Sequence, residues 1–269
     1  MTDRASLPAR NRGFLILVLA LLLGGSALGL WWGTHRAGSG SEAGDDPALT
    51  SALRDAGIDG KQRAAIEELV RAYILDHPEI LPQAMQALQQ KQAAAAISPN
   101  RAAIETPFPG AVLGNPEGKV TLVEFTDFAC PYCRASAKDV EALVAKNPDL
   151  RVVVRLLPII GPMSEPSSRM GLAAAKQGRY AAFYKTMFDG PRPSPDSIAA
   201  AAQSSGLDLA AAKTFGASPD ATLELQRNMS LAQRLQIDGT PAFVIGDQLV
   251  RGAVGEDALQ SAVDAARKG

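Results

Sequence analysis

The chain contains only two cysteines, and two residues separate them in the sequence Cys130-Pro131-Tyr132-Cys133. A pair at this spacing can bind a metal ion, form a structural disulfide or exchange disulfides with another protein. A tetrahedral structural zinc site needs four ligands, and no other cysteine or suitably placed histidine is available to complete one. A bridge that closes so short a loop constrains the unfolded chain little. The pair therefore favours redox chemistry.

The residues around the motif predict how the two thiols divide this chemistry. A short apolar strand, VTLVEF at residues 120–125, comes before the motif, and an amphipathic helix to about residue 146 follows it. At the amino terminus of a helix, the dipole and unpaired N–H groups favour a thiolate, so Cys130 is the predicted nucleophile. Cys133, one turn further on, is predicted to be buried and to resolve the mixed disulfide.

The two residues between the cysteines are predicted to belong to the substrate-binding surface. Pro131 suits the first turn of a helix. Tyr132 occupies the position that influences the pKa and the reduction potential of Cys130, although the sequence does not give the direction of that influence.

Glu124 lies inside the apolar strand, where an unpaired carboxylate is costly. It precedes Cys130 by six residues and can accept or relay the proton of Cys133 when the disulfide forms or breaks. The alternative is a carboxylate that is merely paired with a lysine or arginine.

The elements that must position these residues follow along the chain. Residues 151–157 form a second predicted strand, and residues 164–235 form an Ala-rich helical insert with two Ser-Pro-Asp helix starts. Strands return at 242–245 and 248–251 around a Gly-Asp turn, and a last helix covers 256–266. This order predicts an α/β thioredoxin fold with an inserted all-helical domain.

Thr240 and Pro241 directly precede the third of these strands. Most X-Pro bonds are trans, so the dipeptide alone predicts a trans bond. In a thioredoxin outline, however, a cis Pro241 would lie against the cysteine pair. Thr240 would then present backbone groups to an extended substrate peptide, which makes both residues predicted substrate-binding residues.

Residues 14–32 contain no charged residue and are long enough, at roughly 28 Å as a helix, to cross a bilayer. Arg4, Arg10 and Arg12 precede them, which predicts an inner-membrane anchor with the carboxy-terminal domain in the periplasm. A cleaved signal peptide is the alternative. Both interpretations place the catalytic residues in a compartment where disulfides persist.

The predicted domains are a cytoplasmic stub with the transmembrane anchor (1–34), a flexible linker (35–60), an amphipathic helical region (61–97), a second linker (98–111) and the catalytic domain (112–269). The helical region can pack on its own catalytic domain or form a homo-oligomer. The net charge of −1 argues against a nucleic-acid partner.

With these motifs in place, the sequence resembles the DsbA-like family of bacterial envelope thiol–disulfide oxidoreductases, in particular the suppressor-of-copper-sensitivity C type. The resemblance runs from the paired helices of 61–96 through VEFTDFACPYC to GTPAFVIGDQLVRG. It implies that Cys130 is the nucleophile, Cys133 the resolving thiol, Glu124 the buried acid and Thr240-Pro241 the cis-proline loop. Threonine before the proline resembles envelope isomerases and reductases, whereas the archetypal oxidase has valine there.

The resemblance implies a disulfide isomerase or reductase of cysteine-containing exported proteins, with a DsbD/ScsB-like membrane redox partner. One alternative is a dithiol oxidase with a DsbB-like partner. Another is a non-enzymatic protein whose two thiolates bind Cu(I). No cofactor is predicted beyond the redox-active Cys130–Cys133 disulfide, and no resident metal is predicted.

Overall fold

The structure is a computed structural model that describes residues 47–268, and the chain divides into two units between His77 and Pro78. The described part of the first unit contains helices α1 (Pro47–Asp55) and α2 (Gly60–Asp76). Asp59 caps α2, because its carboxylate accepts the N–H groups of Lys61 and Gln62 at 2.9 Å each. Helix α1 lies within the stretch predicted as a flexible linker.

The second unit carries the remaining elements. Its helices are α3 (Ile80–Ile97), α4 (Arg101–Glu105), α5 (Pro131–Lys146), α6 (Ser164–Lys176), α7 (Tyr180–Asp189), α8 (Pro195–Ser204), α9 (Leu209–Gly216), α10 (Pro219–Arg234) and α11 (Glu256–Ala266), with a 3₁₀ turn at Ser98–Asn100. Its strands are β1 (Val112–Gly114), β2 (Val120–Thr126), β3 (Leu150–Leu156), β4 (Ala242–Ile245) and β5 (Gln248–Arg251).

The strands form one sheet in the order β1-β3-β2-β4-β5. Strands β2 and β3 are parallel, and the other neighbours are antiparallel. Strand β2 is central and buried on both faces, as its apolar run predicts. Side chains alternate along a strand. Leu122 accordingly packs in the core that contains both cysteines, whereas Val123 and Phe125 pack in a second core on the other face.

Helices α6 to α10 lie between β3 and β4 in the chain and form the predicted helical insert. Two of them begin as the Ser-Pro-Asp motifs predict. Ser194 accepts the N–H of Ser197 at 3.1 Å, and Ser218 accepts the N–H of Ala221 at 3.3 Å. The predicted fold class, a thioredoxin fold with an inserted helical domain, is confirmed.

Residues 98–105, inside the stretch predicted as a second linker, are helical. Arg155 of β3 explains why the segment is ordered. Its buried guanidinium donates to the carbonyl oxygens of Ala103 at 2.5 Å and Ile104 at 3.1 Å, and also to that of Thr106. These carbonyls lie at the carboxy-terminal end of α4, where a helix leaves its acceptors unpaired.

The predicted membrane anchor at residues 14–32 lies outside the described residues. Between residues 47 and 268, no helix combines the length and the apolar character needed to cross a bilayer.

Candidate active site

The amino terminus of α5 brings the two cysteines together. Cys130 occupies the N-cap position of α5, and Pro131 lies in the first turn of the helix. Both thiols are free, so the structure shows the dithiol form. Cys130 is 2% exposed and Cys133 is fully buried, whereas Tyr132 between them is 67% exposed. Both thiols are therefore buried, and Cys130 keeps a small contact with solvent that Cys133 lacks.

A second loop completes the site from the far end of the chain. The peptide bond between Thr240 and Pro241 is cis. The Cys130 thiol donates to the carbonyl oxygen of Thr240 at 3.2 Å. Strand β4 begins at the next residue, Ala242, which pairs with Phe125 near the end of β2. The fold therefore brings the predicted cis-proline loop against Cys130 across 110 positions of sequence.

The pKa values of the two thiols are shifted in opposite directions. A hydrogen bond from Cys133 is the largest cause that lowers the pKa of Cys130 to about 5. The side chain of Thr240 and the backbone N–H groups of Cys133 and Tyr132 lower this pKa further, while burial opposes them. Burial raises the pKa of Cys133, and the neighbouring Cys130 raises it again. These opposite shifts favour the thiolate at Cys130 and the protonated thiol at Cys133.

Glu124 is fully buried on β2. The hydroxyl of Tyr184, on α7 of the insert, donates to its carboxylate and lies 3.1 and 3.0 Å from the two oxygens. Burial raises the pKa of Glu124 to about 7, although the hydroxyls of Tyr184 and Thr126 lower it. No lysine or arginine among residues 47–268 forms an ion pair with this carboxylate, so the partner that the alternative interpretation required is not present there.

Sequence reasoning missed Asp127, a fully buried carboxylate that holds the turn before Cys130. One of its oxygens accepts the N–H of Ala129 at 2.9 Å. The other accepts the N–H groups of Ile159 at 2.9 Å and Ile160 at 3.0 Å. Asp127 thus ties the loop after β3 to the motif and places two half-exposed isoleucines near it. An aspartate that bonds the backbone two residues later is a familiar turn signal.

Tyr184 was also missed, and no local pattern identifies it. It lies 60 residues after Glu124, in an amphipathic helix whose aromatic residues look like ordinary core. The structure thus brings together Cys130, Cys133, Thr240 and Pro241 as predicted. It also buries Glu124 next to a tyrosine that the sequence did not single out.

Comparison with known proteins agrees with this geometry. A family model described as "Thioredoxin" matches residues 108–265. A second one, described as "Copper resistance protein ScsC N-terminal domain", matches residues 62–95.

Solved structures give the same result. A thioredoxin-like oxidoreductase from Silicibacter pomeroyi is 40% identical, with a TM-score of 0.61 over 63% of this chain and 99% of that one. ScsC from Proteus mirabilis, in a transitional conformation, is 30% identical, with a TM-score of 0.59 over 79% of this chain and 98% of that one. A periplasmic thioredoxin-like protein from Salmonella enterica serovar Typhimurium is 28% identical, with a TM-score of 0.57 over 64% and 98%.

Curated relatives correct the predicted localisation. Two Na(+)/H(+) antiporters, from Salinispora tropica and Salinispora arenicola, are 28% and 27% identical over 56% and 59% of this chain. The chain spans only 24% and 25% of their lengths. The prediction of a single-pass inner-membrane protein with a periplasmic domain is wrong by this comparison, because these relatives are named as antiporters and not as anchored or exported periplasmic proteins.

Proposed function

The chain belongs to the DsbA-like family of thioredoxin-fold thiol–disulfide oxidoreductases, and on this premise we propose that it isomerises or reduces disulfides in cysteine-containing proteins. One observation carries thiol–disulfide exchange as the chemistry of both activities: the sulfur of Cys130, with a pKa lowered to about 5, lies 3.2 Å from the carbonyl oxygen of Thr240 in the cis-proline loop. Threonine before the proline supports isomerase or reductase activity over oxidase activity, by its resemblance to envelope enzymes of those classes.

The proposed reaction begins with the Cys130 thiolate, which attacks one sulfur of a substrate disulfide. A bond forms between Cys130 and that sulfur, the substrate disulfide breaks, and the other substrate sulfur leaves as a thiolate. In isomerisation, a substrate thiolate attacks the mixed disulfide and releases Cys130. In reduction, Cys133 loses its proton and attacks Cys130, which releases the reduced substrate and leaves the Cys130–Cys133 disulfide.

Residues around Cys130 support a role in binding an extended peptide. Pro131 and Tyr132 are exposed beside the nucleophile. Thr240 and Pro241 lie in the loop directly before β4, beside Cys130, where backbone groups can pair with an extended substrate peptide. Ile159 and Ile160, held by Asp127, add apolar surface next to the motif.

A dithiol oxidase is the second candidate, and the low pKa of Cys130 favours it. A stabilised thiolate stabilises the reduced form of the pair, which makes the disulfide form a stronger oxidant. The proposed membrane redox partner distinguishes the two functions: a DsbD/ScsB-like donor keeps the pair reduced, whereas a DsbB-like acceptor keeps it oxidised.

Self-association through residues 61–97 is part of the proposal. Helix α2 buries no residue, and several large apolar side chains on α2 and α3 are exposed. They are Ile66, Leu69, Val70, Tyr73 and Leu75 on α2, and Leu81, Met85 and Leu88 on α3. Apolar surface of this kind is typical of an interaction site. An oligomer would present several catalytic sites to one misfolded substrate.

Reactivation of scrambled ribonuclease by the full chain tests the proposal. We expect activity above that of a Cys130→Ser variant. We also expect Leu69→Glu combined with Leu88→Glu to lower both the sedimentation coefficient and the isomerase activity, while insulin reduction is retained. Ribonuclease activity no higher than with Cys130→Ser would contradict isomerase activity. Rapid oxidation of reduced ribonuclease without reactivation of the scrambled form would favour the oxidase.

A further inference from the structure

The attack of Cys133 on Cys130 requires the thiol of Cys133 to lose a proton inside the protein. Cys133 is fully buried, and burial raises its pKa. Glu124, which the sequence predicts to accept or relay this proton, is buried and has a pKa raised to about 7. Within the described part of the chain, however, no direct hydrogen bond joins Glu124 to Cys133, and the side-chain partner of both carboxylate oxygens is the hydroxyl of Tyr184. A group between the two is needed to pass the proton.

Thr126 lies where such a group is needed. It follows Glu124 by two positions on β2, so the alternation of a strand places both side chains on the face that packs against α5. The residue directly after Thr126 contacts Cys133, because the N–H of Asp127 donates to the Cys133 sulfur at 3.5 Å. Interaction with the Thr126 hydroxyl lowers the pKa of Glu124, and interaction with the same hydroxyl lowers that of Cys133.

The hydroxyl of Thr126 is fully buried and has no hydrogen bond of ordinary geometry to the described residues. Buried polar groups are nearly always paired, and an exception in a native site calls for an explanation. A hydroxyl can donate one hydrogen bond and accept others at the same time. It can therefore bridge a thiol and a carboxylate in a way that the methyl groups of valine cannot.

We infer that the hydroxyl of Thr126 is a proton bridge between Cys133 and Glu124, an inference that rests on the proposed role of Glu124 as acid and base. The S–H proton of Cys133 passes to Oγ1 of Thr126, and the hydroxyl's own proton passes to a carboxylate oxygen of Glu124. The Cys133 sulfur then bonds to the Cys130 sulfur, the mixed disulfide breaks, and the substrate leaves as a thiolate. Opening of the disulfide reverses each transfer.

Glu124 is surrounded by groups whose pKa values are raised or that do not titrate, so a pH inflection near 7 can be assigned to Glu124. Tyr180 and Tyr184 of α7 interact with Glu124, and burial raises the pKa of each phenol well above its usual value. Cys133 faces it from α5, also with a raised pKa. Its strand partners, Val154 on β3 and Phe243 on β4, do not titrate.

Thr126→Val removes the hydroxyl and keeps the shape of the side chain. Because that hydroxyl makes no ordinary hydrogen bond, its replacement by a methyl group is not expected to destabilise the fold. Thr126→Ser keeps the hydroxyl and should preserve the bridge. Ser168→Ala is a matched control, since it removes another buried hydroxyl without an ordinary partner, on α6.

Stopped-flow reaction of the reduced protein with 5,5′-dithiobis(2-nitrobenzoate) separates the two steps, since each releases one nitrothiophenolate. The first release reports attack by Cys130, and the second reports attack by Cys133. In Thr126→Val we expect the second rate constant to fall on the order of 100-fold at neutral pH, the usual contribution of general acid–base catalysis, and its pH inflection near 7 to disappear. The first release should stay within about two-fold, and Thr126→Ser should retain both features.

A coupling measurement completes the test. If the two residues form one relay, Glu124→Gln combined with Thr126→Val resolves the mixed disulfide no more slowly than the slower single variant. Second-step kinetics in Thr126→Val like those of the wild type would overturn the inference, as would a Thr126→Ser variant as slow as Thr126→Val. Absence of the first release from the wild-type protein would instead refute the proposed function.

Discussion

Cys133 should control the ionisation of Cys130, because a hydrogen bond from its thiol is the largest cause of the lowered Cys130 pKa. Cys133→Ala removes that bond and leaves one cysteine to observe. A hydrogen bond to a charged group contributes about 1.5–3 kcal/mol, and about 1.4 kcal/mol corresponds to a tenfold change in an ionisation constant. The pKa of Cys130 should therefore rise from about 5 to roughly 6–7.

This change predicts a rate effect that depends on pH. At pH near 5, the thiolate fraction of Cys130 falls from about one half to about 1–9%, a loss of roughly 5- to 50-fold. The higher nucleophilicity of the more basic thiolate offsets part of this loss, so alkylation by iodoacetamide should slow by roughly 2- to 10-fold. At a pH of about 8.5 both proteins are almost fully ionised, so Cys133→Ala should react at least as fast as the wild type, because a more basic thiolate is the stronger nucleophile. Mass spectrometry follows alkylation of Cys130, and ultraviolet absorbance of the thiolate gives the pKa independently.

Cys133→Ser is the matched control, because its hydroxyl can still donate to the Cys130 thiolate. We expect its pKa for Cys130 to lie between those of the wild type and Cys133→Ala. An unchanged pH profile in Cys133→Ala would refute the reasoning. Equal slowing at both pH values would also refute it, since that result would indicate altered access to the sulfur instead of altered ionisation.

Two further predictions concern stability. Glu124 has a folded pKa of about 7 against an ordinary value of 4.5, so its contribution to stability is complete below pH 4.5 and is lost as the pH rises through 7. Glu124→Gln should therefore reduce the loss of unfolding free energy between about pH 4 and pH 8 by about 3 kcal/mol in urea titrations, and an unchanged loss would contradict the raised pKa. Arg155→Met removes the nearer partner of the buried carboxylate of Glu224, 3.0 Å away, and leaves only the exposed Arg227 at 4.0 Å; we expect it to lower the unfolding free energy by about 3 kcal/mol. Arg151→Met, which removes hydrogen bonds to Thr121, should cost about 1 kcal/mol; equal losses in the two arginine variants would contradict this account.

Local sequence predicted the elements that hold the motif. The apolar run of β2, the proline after Cys130 and the Ser-Pro-Asp helix starts all act over a few residues, so their structures follow from nearest neighbours. The segments predicted as linkers show the limit of such reasoning. Residues 98–105 have a linker-like composition but are helical, because Arg155, about 50 positions further on, holds their carbonyl oxygens.

The polar partners of the site could not be predicted from local sequence either, because they too lie far apart along the chain. The sequence indicated that Glu124 needs a partner, and lysine or arginine was the simplest alternative. The structure supplies a tyrosine from the helical insert, 60 residues away. The predicted localisation failed for a different reason: it depended on residues 14–32 and their flanking charges, which carry no information about the relatives of the catalytic domain.

By itself, the sequence determined which atoms can react: two thiols at the start of a helix, a carboxylate on the preceding strand and a proline loop near the carboxy terminus. Only the tertiary structure decided how those groups ionise. A pKa depends on burial and on hydrogen-bond partners, and these come from β2, α5, α7 and the Thr240-Pro241 loop together. The packing of segments far apart in sequence therefore makes one thiol a thiolate and leaves the other in need of a path for its proton.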